Sequence, residues 1–497
     1  MDAANTAAIN CLLTKSTNLT TLTPIWPQTR PQIFNLNFST NPSNKNVSLL
    51  LTNCSTKPNV NRENAIDENL TVEPSSNSRT QKQAKPTSIQ SLSSSHSLFS
   101  RGLVFDLGTR NSWDSLEIGS PVVKRYLSDD EERWYMWYHG RSGENPGFES
   151  IGLAVSSNGI HWERGGGAVK SGADVGLVMN CSKDWWAFDT QSIRPGEIVI
   201  MSSTKVRSNN AVYWLYYTGF SSENVEFSDK SLEISLKNPE RAHIVGDNSN
   251  EIEGKSMILK SLPGLAMSQD GRHWARIEGE HHSGALFDVG SDGEWDSLFI
   301  ASPQVVYHGS GDLRMYYHSF DAENGHFAVG IARSRDGMRW VKLGKILGGG
   351  ANGAFDECGI VNPKVTRNKK NGTYLMVYEC VASDGERSIG FAVSSDGLKQ
   401  WKRVQDFPAL KKSEENGWDC EGVGSPCLVQ MDGELDEWRL YYRGIGQGGR
   451  TGIGLAISQG NELNNFQRWT GNRLVNLVLD DDEFNISLRA IETGSNS

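Results

Sequence analysis

Three glutamates stand where their side chains could carry acid–base chemistry. Glu117, Glu357 and Glu421 each lie between an aromatic–Asp pair and the proline that follows it. Carboxylates that converge in one cavity can act as general acid and general base when burial and neighbouring charges separate their pKa values. We therefore take these three glutamates as the candidate catalytic residues.

A second set of polar residues follows five aromatic pairs along the chain. The set is His139, Thr218, His318, Glu379 and Arg443. Each ends a strand that returns antiparallel to the strand before it, so these side chains are expected at the same end of a central channel as the glutamates, with Arg194 beside them. Such a mixture binds sugar hydroxyls or anionic groups. Substrate binding is therefore predicted for His139, Arg194, His318, Glu379 and Arg443, and polar contacts within a wet channel are the alternative.

The elements that position these residues belong to one unit repeated five times. Each copy begins with an aromatic residue and Asp, followed by Pro. The five cases are Trp113-Asp114 before Pro121, Phe188-Asp189 before Pro195, Trp295-Asp296 before Pro303, Phe355-Asp356 before Pro363 and Trp418-Asp419 before Pro426. A catalytic residue would break this repetition. The repeated Asp is therefore predicted to be structural and to cap the turn into the inner strand.

Each copy also contains an aromatic strand, a strand of small apolar residues and a tight turn before Trp. In the first copy these are 134–138, 151–156 and Asn158-Gly159 before Trp162. Aromatic and β-branched runs favour strands, and Asn-Gly or Asp-Gly supplies the positive φ of a hairpin turn. Each copy therefore predicts a four-stranded antiparallel sheet, and such sheets must stack to bury both faces.

Five sheets arranged radially predict an all-β fold, a five-bladed β-propeller over residues 101–484 with almost no helix. The blades are expected at about 113–170, 185–287, 294–348, 354–408 and 417–480, before a C-terminal tail at 485–497. Residues near 102–105 are expected to add an outer strand to the last blade. The second copy is longer, and its polar segment at about 221–260 predicts a surface excursion.

These motifs resemble the five-bladed propellers of the arabinanase, levansucrase and invertase group, which includes glycoside hydrolase families 43, 32 and 68. The resemblance is carried by residues 135–140, 151–156 and 334–340, and it extends over about residues 102–480. It implies a funnel lined by three carboxylates that cleave a glycosidic bond. Glu357-Cys358 also resembles the Glu-Cys pair that carries the acid in the invertase-like branch.

The chain departs from this family at the positions of the acids. In the family, key acids stand directly before an inner-strand proline or one residue earlier. The residues directly before the five prolines here are Ser120, Arg194, Ser302, Asn362 and Ser425. The family's catalytic triad therefore cannot be transferred residue by residue.

Composition excludes several classes of function. Lys and Arg number 49 against 59 Asp and Glu, giving a net charge of −10, so nucleic acid is not an expected partner. No apolar run is long enough for a transmembrane helix. Seven cysteines are too few for a disulfide framework in so long a chain, which favours a reducing compartment. Cys358, Cys380, Cys420 and Cys427 match no zinc spacing and are expected as buried thiols, with a redox pair as the alternative. No cofactor and no metal is predicted.

The first hundred residues differ from the rest. Residues 1–60 are rich in Ser, Thr and Asn and poor in acids, which is typical of a plastid transit peptide. Residues 61–100 are polar without hydrophobic periodicity and are expected to be a disordered linker. This predicts a protein of the chloroplast stroma of a plant, whereas disorder without a targeting role is the alternative.

Two functions follow from these observations. The first is hydrolysis of an O-glycosidic bond in a furanoside or small glycan by the funnel carboxylates. The second is a catalytically inactive propeller that binds a carbohydrate or a protein partner, since the family acids are missing and fold alone does not fix function. Convergence of two carboxylates in the channel would favour the first.

Overall fold

The structure is a computed structural model, and it describes residues 101–127, 132–165, 172–201, 212–227, 256–309, 311–414, 416–431, 437–458 and 463–471. The predicted transit peptide, linker and C-terminal tail lie outside the described residues, so these assignments stay predictions.

The described residues form strands and two short 3₁₀ turns, Gly172–Asp174 and Gln447–Gly449. Strand β1 is Leu103–Phe105. Unit 1 contains β2 (Glu117–Leu127), β3 (Glu132–Arg141), β4 (Glu149–Ser156), β5 (Glu163–Arg164) and β6 (Leu177–Met179). Unit 2 contains β7 (Ser192–Met201), β8 (Val212–Phe227), β9 (Ser256–Ser268) and β10 (Ala275–Ile277). Unit 3 contains β11 (Ala301–Gly309), β12 (Asp312–Asp321), β13 (His326–Ser334) and β14 (Trp340–Leu347).

Unit 4 contains β15 (Gly359–Arg367), β16 (Tyr374–Val381), β17 (Arg387–Ser394) and β18 (Lys402–Arg403). Unit 5 contains β19 (Gly422–Gln430), β20 (Trp438–Ile445), β21 (Thr451–Ser458) and β22 (Phe466–Arg468). Within each unit, the first, second and third strands pair antiparallel in chain order. The outer strand pairs antiparallel with the third strand, and in unit 1 both β5 and β6 pair with β4. The predicted all-β fold built from antiparallel sheets is confirmed.

The units close on themselves around a channel. The first strands β2, β7, β11, β15 and β19 contact one another in a closed cycle. A separate apolar cluster fills each of the five junctions between consecutive units, including that between units 5 and 1. Strand β1 pairs antiparallel with β21, with Leu103 opposite Gly454, which confirms the outer strand predicted near residues 102–105. This is the architecture of a β-propeller.

A backbone kink recurs in four of the first strands. Ser120, Ser302, Asn362 and Ser425, each directly before the proline, have φ between 42° and 53°. The pairing register shifts at the same positions, so each kink is a β-bulge. Left-handed backbone at a non-glycine residue costs about 1 kcal/mol. In Ser302, Asn362 and Ser425 it directs the N–H of the residue itself towards the neighbouring unit.

A buried Asp joins the second and outer strands of every unit. In unit 3 the Tyr317 hydroxyl donates to Asp296 Oδ2 at 2.9 Å, and Lys342 Nζ lies 3.0 Å from the same oxygen. The equivalent groups are Tyr138, Asp114 and Arg164; Tyr217, Asp189 and Arg276; Tyr378, Asp356 and Arg403; and Tyr442, Asp419 and Arg468. The repeated Asp is structural, as predicted. The prediction that it caps a turn through backbone hydrogen bonds differs from the structure, in which its carboxylate binds the side chains of Tyr and of Arg or Lys.

The segment predicted as a surface excursion of the second copy is partly regular structure. Strands β8 and β9 continue pairing beyond the unit, with Asn224 opposite Leu259 and Val225 opposite Ile258. Residues 221–227 and 256–260 are therefore a two-stranded extension, and residues 228–255 lie outside the described ranges. Among the residues that the structure describes, no helix is long and apolar enough to cross a bilayer.

Replacing Asp296 with Ala should lower the free energy of unfolding by about 3 kcal/mol, because Tyr317 and Lys342 lose a buried partner. Chemical denaturation of the purified chain measures this. Asp292→Ala is the matched control, since Asp292 is exposed in the same loop. An equal effect of the two substitutions would contradict the structural role of the repeated Asp.

Candidate functional site

Side chains from the second strands seal three of the five junctions at the end of the channel where the first strands begin. Thr218 Oγ1 accepts the Ser302 N–H at 2.8 Å, and His318 Nδ1 accepts the Asn362 N–H at 3.2 Å. Glu379 Oε2 accepts the Ser425 N–H at 2.9 Å. In each case the donor is the left-handed residue of the next unit. These bonds satisfy backbone groups that the bulges leave without a ladder partner.

Further polar contacts fix the sealed junctions between units 3, 4 and 5. The Asn362 amide donates to Glu379 Oε2 at 2.7 Å, and Ser302 Oγ donates to Asn362 Oδ1 at 2.5 Å. Arg387 Nη1 lies 3.0 Å from Glu379 Oε1. Because both Glu379 oxygens already have partners, Glu379 and His318 act here in joining the units, and their predicted role in substrate binding stays a prediction.

Charged side chains occupy the two remaining junctions, between units 5 and 1 and between units 1 and 2. The charged cluster consists of Glu117, His139, Arg141, Glu149, Arg194 and Arg443. The sheet register places three of them side by side, because Glu117 pairs with Arg141 and Arg141 pairs with Glu149. Residues directly opposite in a ladder share one face, so these three side chains meet.

A glycine admits Arg443 from unit 5 into the cluster. A Cβ added at Gly119 would lie 2.7 Å from both Arg443 Cδ and His139 Cε1. The Arg443 side chain extends from unit 5 past Gly119, and its Nη2 lies 3.1 Å from Glu117 Oε1. The missing side chain at residue 119 therefore allows the two units to share one charged site.

Glu117 is the centre of the cluster. Its carboxylate contacts the guanidinium groups of Arg141 and Arg443, and His139 Nε2 lies 3.7 Å from Oε1. Burial by itself would raise the pKa of Glu117, but Arg443 and His139 outweigh it and hold the pKa below its ordinary value. Glu117 is therefore an ionised carboxylate at neutral pH.

Glu149 is the second carboxylate of the cluster and is fully buried. Arg194 binds it in a bidentate manner, with Nε 2.6 Å from Oε2 and Nη2 2.7 Å from Oε1. The Arg194 guanidinium also lies over the Phe220 ring, 5.1 Å from its centroid. Units 1 and 2 are thus joined by a charge-assisted pair of the strong, planar kind.

Glu117, His139 and Glu149 each offer one ligand atom, and these atoms lie within 4.8 Å of one another. Both ring nitrogens of His139 are buried and have no hydrogen-bond partner among the described residues. Carboxylate and imidazole atoms are metal ligands, but a divalent cation here would face three arginines. The guanidinium groups of Arg141, Arg194 and Arg443 would repel a cation at this place.

The sequence-predicted site residues separate into groups. Glu117, His139, Arg194 and Arg443 come together in the charged cluster. Glu357 lies two residues before β15, where its carboxylate accepts the Gly353 N–H at 3.0 Å. Glu421 is exposed directly before β19 and accepts the Gly448 N–H at 3.1 Å. No described contact joins Glu357 or Glu421 to Glu117, so their catalytic assignment remains a prediction.

Sequence reasoning missed Arg141 and Glu149. Arg141 lies two residues after His139 on the same strand, and the strand period of two already places both on one face. Glu149 opens β4, three residues before the glycine that recurs in this strand of every copy. The corresponding residues of the other copies are Ser261, Phe327, Arg387 and Thr451. Glu149 is the one acid at this position of the repeat, and this departure from the other copies could have identified it from the sequence.

The opposite end of the channel is closed by a second set of charges. Lys124 Nζ lies 2.5 Å from Glu197 Oε1, and the Gln304 amide donates to Glu197 Oε2 at 2.9 Å. Lys364 Nζ donates to the Gly196 carbonyl. Burial lowers the pKa of Lys364, whereas Lys124 and Lys364 together outweigh burial and lower the pKa of Glu197. These side chains link units 1, 2, 3 and 4.

Comparison with known proteins gives two kinds of finding. No family model matches the chain. The uncharacterized protein Rv1502 of Mycobacterium tuberculosis (strain H37Rv) is 28% identical over 206 residues, which are 40% of this chain and 61% of that protein. The protein MT1551 of strain CDC 1551 gives the same figures. The chain thus spans about three fifths of the length of the curated relatives that it matches.

Solved structures with a similar chain path include several glycoside hydrolases. A thermostable family-43 glycoside hydrolase has a TM-score of 0.46 and 18% identity, covering 70% of this chain and 92% of that chain. An exo-1,5-α-L-arabinanase from a bovine ruminal metagenomic library has a TM-score of 0.41 and 12% identity, covering 68% and 92%. An N-acetylgalactosamine deacetylase from F. plautii, in complex with blood group B trisaccharide, has a TM-score of 0.47 and 14% identity, covering 72% and 94%.

Replacing Gly119 with Ala should displace Arg443 and His139 and separate Arg443 from Glu117. We expect a loss of unfolding free energy of about 1–3 kcal/mol, as for overpacking. Gly143→Ala is the matched control, because a Cβ there meets only Ser115 Oγ, at 3.9 Å. Thermal and chemical denaturation measure both variants. A Gly119→Ala chain as stable as the parent would contradict the close approach of Arg443.

Proposed function

We propose that this chain is a glycosidase-like protein that binds a carbohydrate at the charged cluster and hydrolyses a glycosidic bond there. Glu117 and Glu149 are the two carboxylates of this proposal. The proposal includes the five-bladed count, with units 1 to 5 as the blades, and the plastid stroma as the location, which rests on the composition of residues 1–60.

The observation that carries the proposal is the convergence of two carboxylates at one end of the channel. An oxygen of Glu117 and an oxygen of Glu149 lie within 4.8 Å of each other. Carboxyl groups about 5–5.5 Å apart are typical of retaining glycosidases, and inverting enzymes keep them about 6.5–9.5 Å apart. The two carboxyl groups are therefore close enough to act on one glycosidic bond.

The surroundings of the two carboxylates suggest different roles. Glu117 is held ionised by Arg443 and His139, which suits a nucleophile or a group that stabilises positive charge on the sugar ring. Proton donation would then require Glu149 to exchange its pair with Arg194 for a proton. His139 lies beside both carboxylates, with Nε2 3.7 Å from Glu117 Oε1.

A second candidate function is carbohydrate binding without hydrolysis. It is favoured by the arginines that pair with both carboxylates, since neither carboxylate is then held ready to give up or accept a proton. The residues directly before the prolines also offer hydroxyl, amide and guanidinium groups and no carboxylate. This function would need the same cluster but would leave glycosidic bonds intact.

Hydrolysis by the purified chain on aryl furanosides, arabinan, sucrose and fructan tests the first function. Glu117→Gln and Glu149→Gln should each lower the rate at least about 100-fold, because a carboxylate that transfers a proton or attacks cannot be replaced by an amide. Glu144→Gln, in the exposed loop between β3 and β4, is the matched control and should keep the parent rate.

The Glu421→Gln variant shows whether the catalytic carboxylates are those of the charged cluster or include Glu421, which the sequence alone suggested. If its rate falls while Glu117→Gln and Glu149→Gln stay active, the carboxylate pair of the cluster is wrong. Binding of a sugar without turnover by the parent would favour the second function. Melting curves of every variant show whether a lost rate reflects lost folding.

A further inference from the structure

We propose that the turn 184–187 of unit 2 carries a second carbohydrate-binding surface, on which Trp185 and Trp186 pack against sugar rings of a chain-like glycan. The inference rests on the proposed function, because it names an oligosaccharide or polysaccharide as the class of ligand. It concerns a surface outside the charged cluster, and it holds with or without hydrolysis.

The same tight turn precedes the first strand in all five units. In unit 2 the Ala187 N–H donates to the Asp184 carbonyl at 2.9 Å, and Phe188 follows directly. The equivalent turns, each closed by the same bond and each directly before the repeated aromatic residue, are 109–112, 291–294, 351–354 and 414–417. The turn is therefore part of the repeated framework, and the bond that closes it does not fix the two central side chains.

Unit 2 departs from the repeat at these two central positions. The pairs in the other four units are Arg110-Asn111, Asp292-Gly293, Asn352-Gly353 and Glu415-Asn416. These are polar residues and glycines, which are typical of turns. Unit 2 has Trp185-Trp186 instead. Turn formation does not require tryptophan, which indicates that this pair serves another purpose.

Packing within the protein does not account for the pair. Trp185 is 89% exposed and Trp186 is 41% exposed. The Trp186 ring lies beside Gly284, where an added Cβ would be 3.7 Å from Cζ3. Trp185 is the most exposed of the large hydrophobic side chains among the described residues. Because apolar surface in water is unfavourable, the Trp185 ring gains free energy when a ligand covers it.

The turn is anchored to the rest of unit 2. Ala187 and Phe188 are buried beneath it. The Ser182 N–H donates to the Asp189 carbonyl at 3.0 Å, and the Phe188 N–H donates to the Ser283 carbonyl at 3.3 Å. A ligand that packs on the two rings therefore orders little additional backbone, which lowers the entropic cost of binding.

The turn lies at the end of the channel where the charged cluster is found. In the segment that leads to it, Cys181 Sγ donates to the Glu149 carbonyl at 3.1 Å, and the Ser150 hydroxyl donates to Asn180 Oδ1 at 2.9 Å. The exposed large apolar residues that the structure describes at this end are Leu116, Phe148, Trp185 and Trp186, all in units 1 and 2. A glycan chain that leaves the charged cluster over these two units therefore runs towards the turn.

The chemistry of this surface suits a sugar better than a protein. Lys183 and Asp184 are exposed beside the two rings. A sugar packs the C–H face of its ring on an aromatic side chain, while its hydroxyl groups bind polar neighbours. A stable protein interface buries about 800 Å² on each partner. Two tryptophans supply at most about 500 Å², which is enough for one or two sugar rings.

Affinity electrophoresis of the full chain in gels that contain arabinan, fructan or xylan tests the inference. At least one of these polysaccharides should retard the parent. Trp185→Ala should weaken that binding about tenfold, and Trp185→Tyr should keep part of it, because tyrosine retains an aromatic face. Phe407→Ala, which removes an exposed aromatic ring from unit 4, is the matched control and should migrate like the parent.

Hydrolysis separates the turn from the charged cluster. In Trp185→Ala the KM for the polysaccharide should rise about tenfold. The rate on an aryl furanoside should stay at the parent value, because this substrate has a single sugar ring. Since the Trp185 side chain is exposed, the variant should also keep the melting temperature of the parent, so that lost binding does not reflect lost folding.

Three results would overturn the inference. Equal retardation of the parent and Trp185→Ala by every polysaccharide that binds would reject it and leave the proposed function standing. A parent that is a dimer in light scattering, with Trp185→Ala a monomer, would show that a second copy of the chain covers the turn. Failure of every polysaccharide to bind would also reject it. Turnover of the aryl furanoside would then leave the proposed function standing, and its absence would reject both.

Discussion

The buried Asp of each unit is the interaction on which the rest of the structure depends. It joins a Tyr of the second strand to an Arg or Lys of the outer strand, and it stands just before the first strand begins. A charge is costly to bury without such partners, so the three strands are held in one arrangement at this edge of the sheet. Every residue of the charged cluster lies within a few positions of that edge in its own strand.

The five units share one framework, so the junctions at which the side chains differ from the repeat are informative. Left-handed residues before the prolines donate to side chains of the preceding unit at three junctions. At the other two junctions the second strands carry His139 and Arg443, and Gly119 leaves the space in which Arg443 meets Glu117. The same backbone thus provides structural bonds on one side of the channel and a concentrated set of charges on the other.

Sequence reasoning predicted the repeat, the strands and the outer strand near residues 102–105, because periodic aromatic residues and tight turns are local signals. It also selected His139, Arg194 and Arg443 as polar residues of the channel, and the structure brings these three together in the charged cluster. It could not find the partner of Glu117 in unit 5, since Glu117 and Arg443 are 326 positions apart and meet only when the ring closes. Glu357 and Glu421 looked equivalent to Glu117, but only Glu117 lies within its strand, and a difference of one or two residues directs a side chain elsewhere.

The central claim is that a ligand binds at the charged junctions and not at the sealed ones. Hydrogen–deuterium exchange followed by mass spectrometry, with and without sucrose or arabinan, tests it most directly. The account predicts slower exchange in peptides that contain the start of β2, the end of β3 and the start of β4, and unchanged exchange around Asn362 and Ser425. Protection around Asn362 and Ser425 without protection in unit 1 would contradict it.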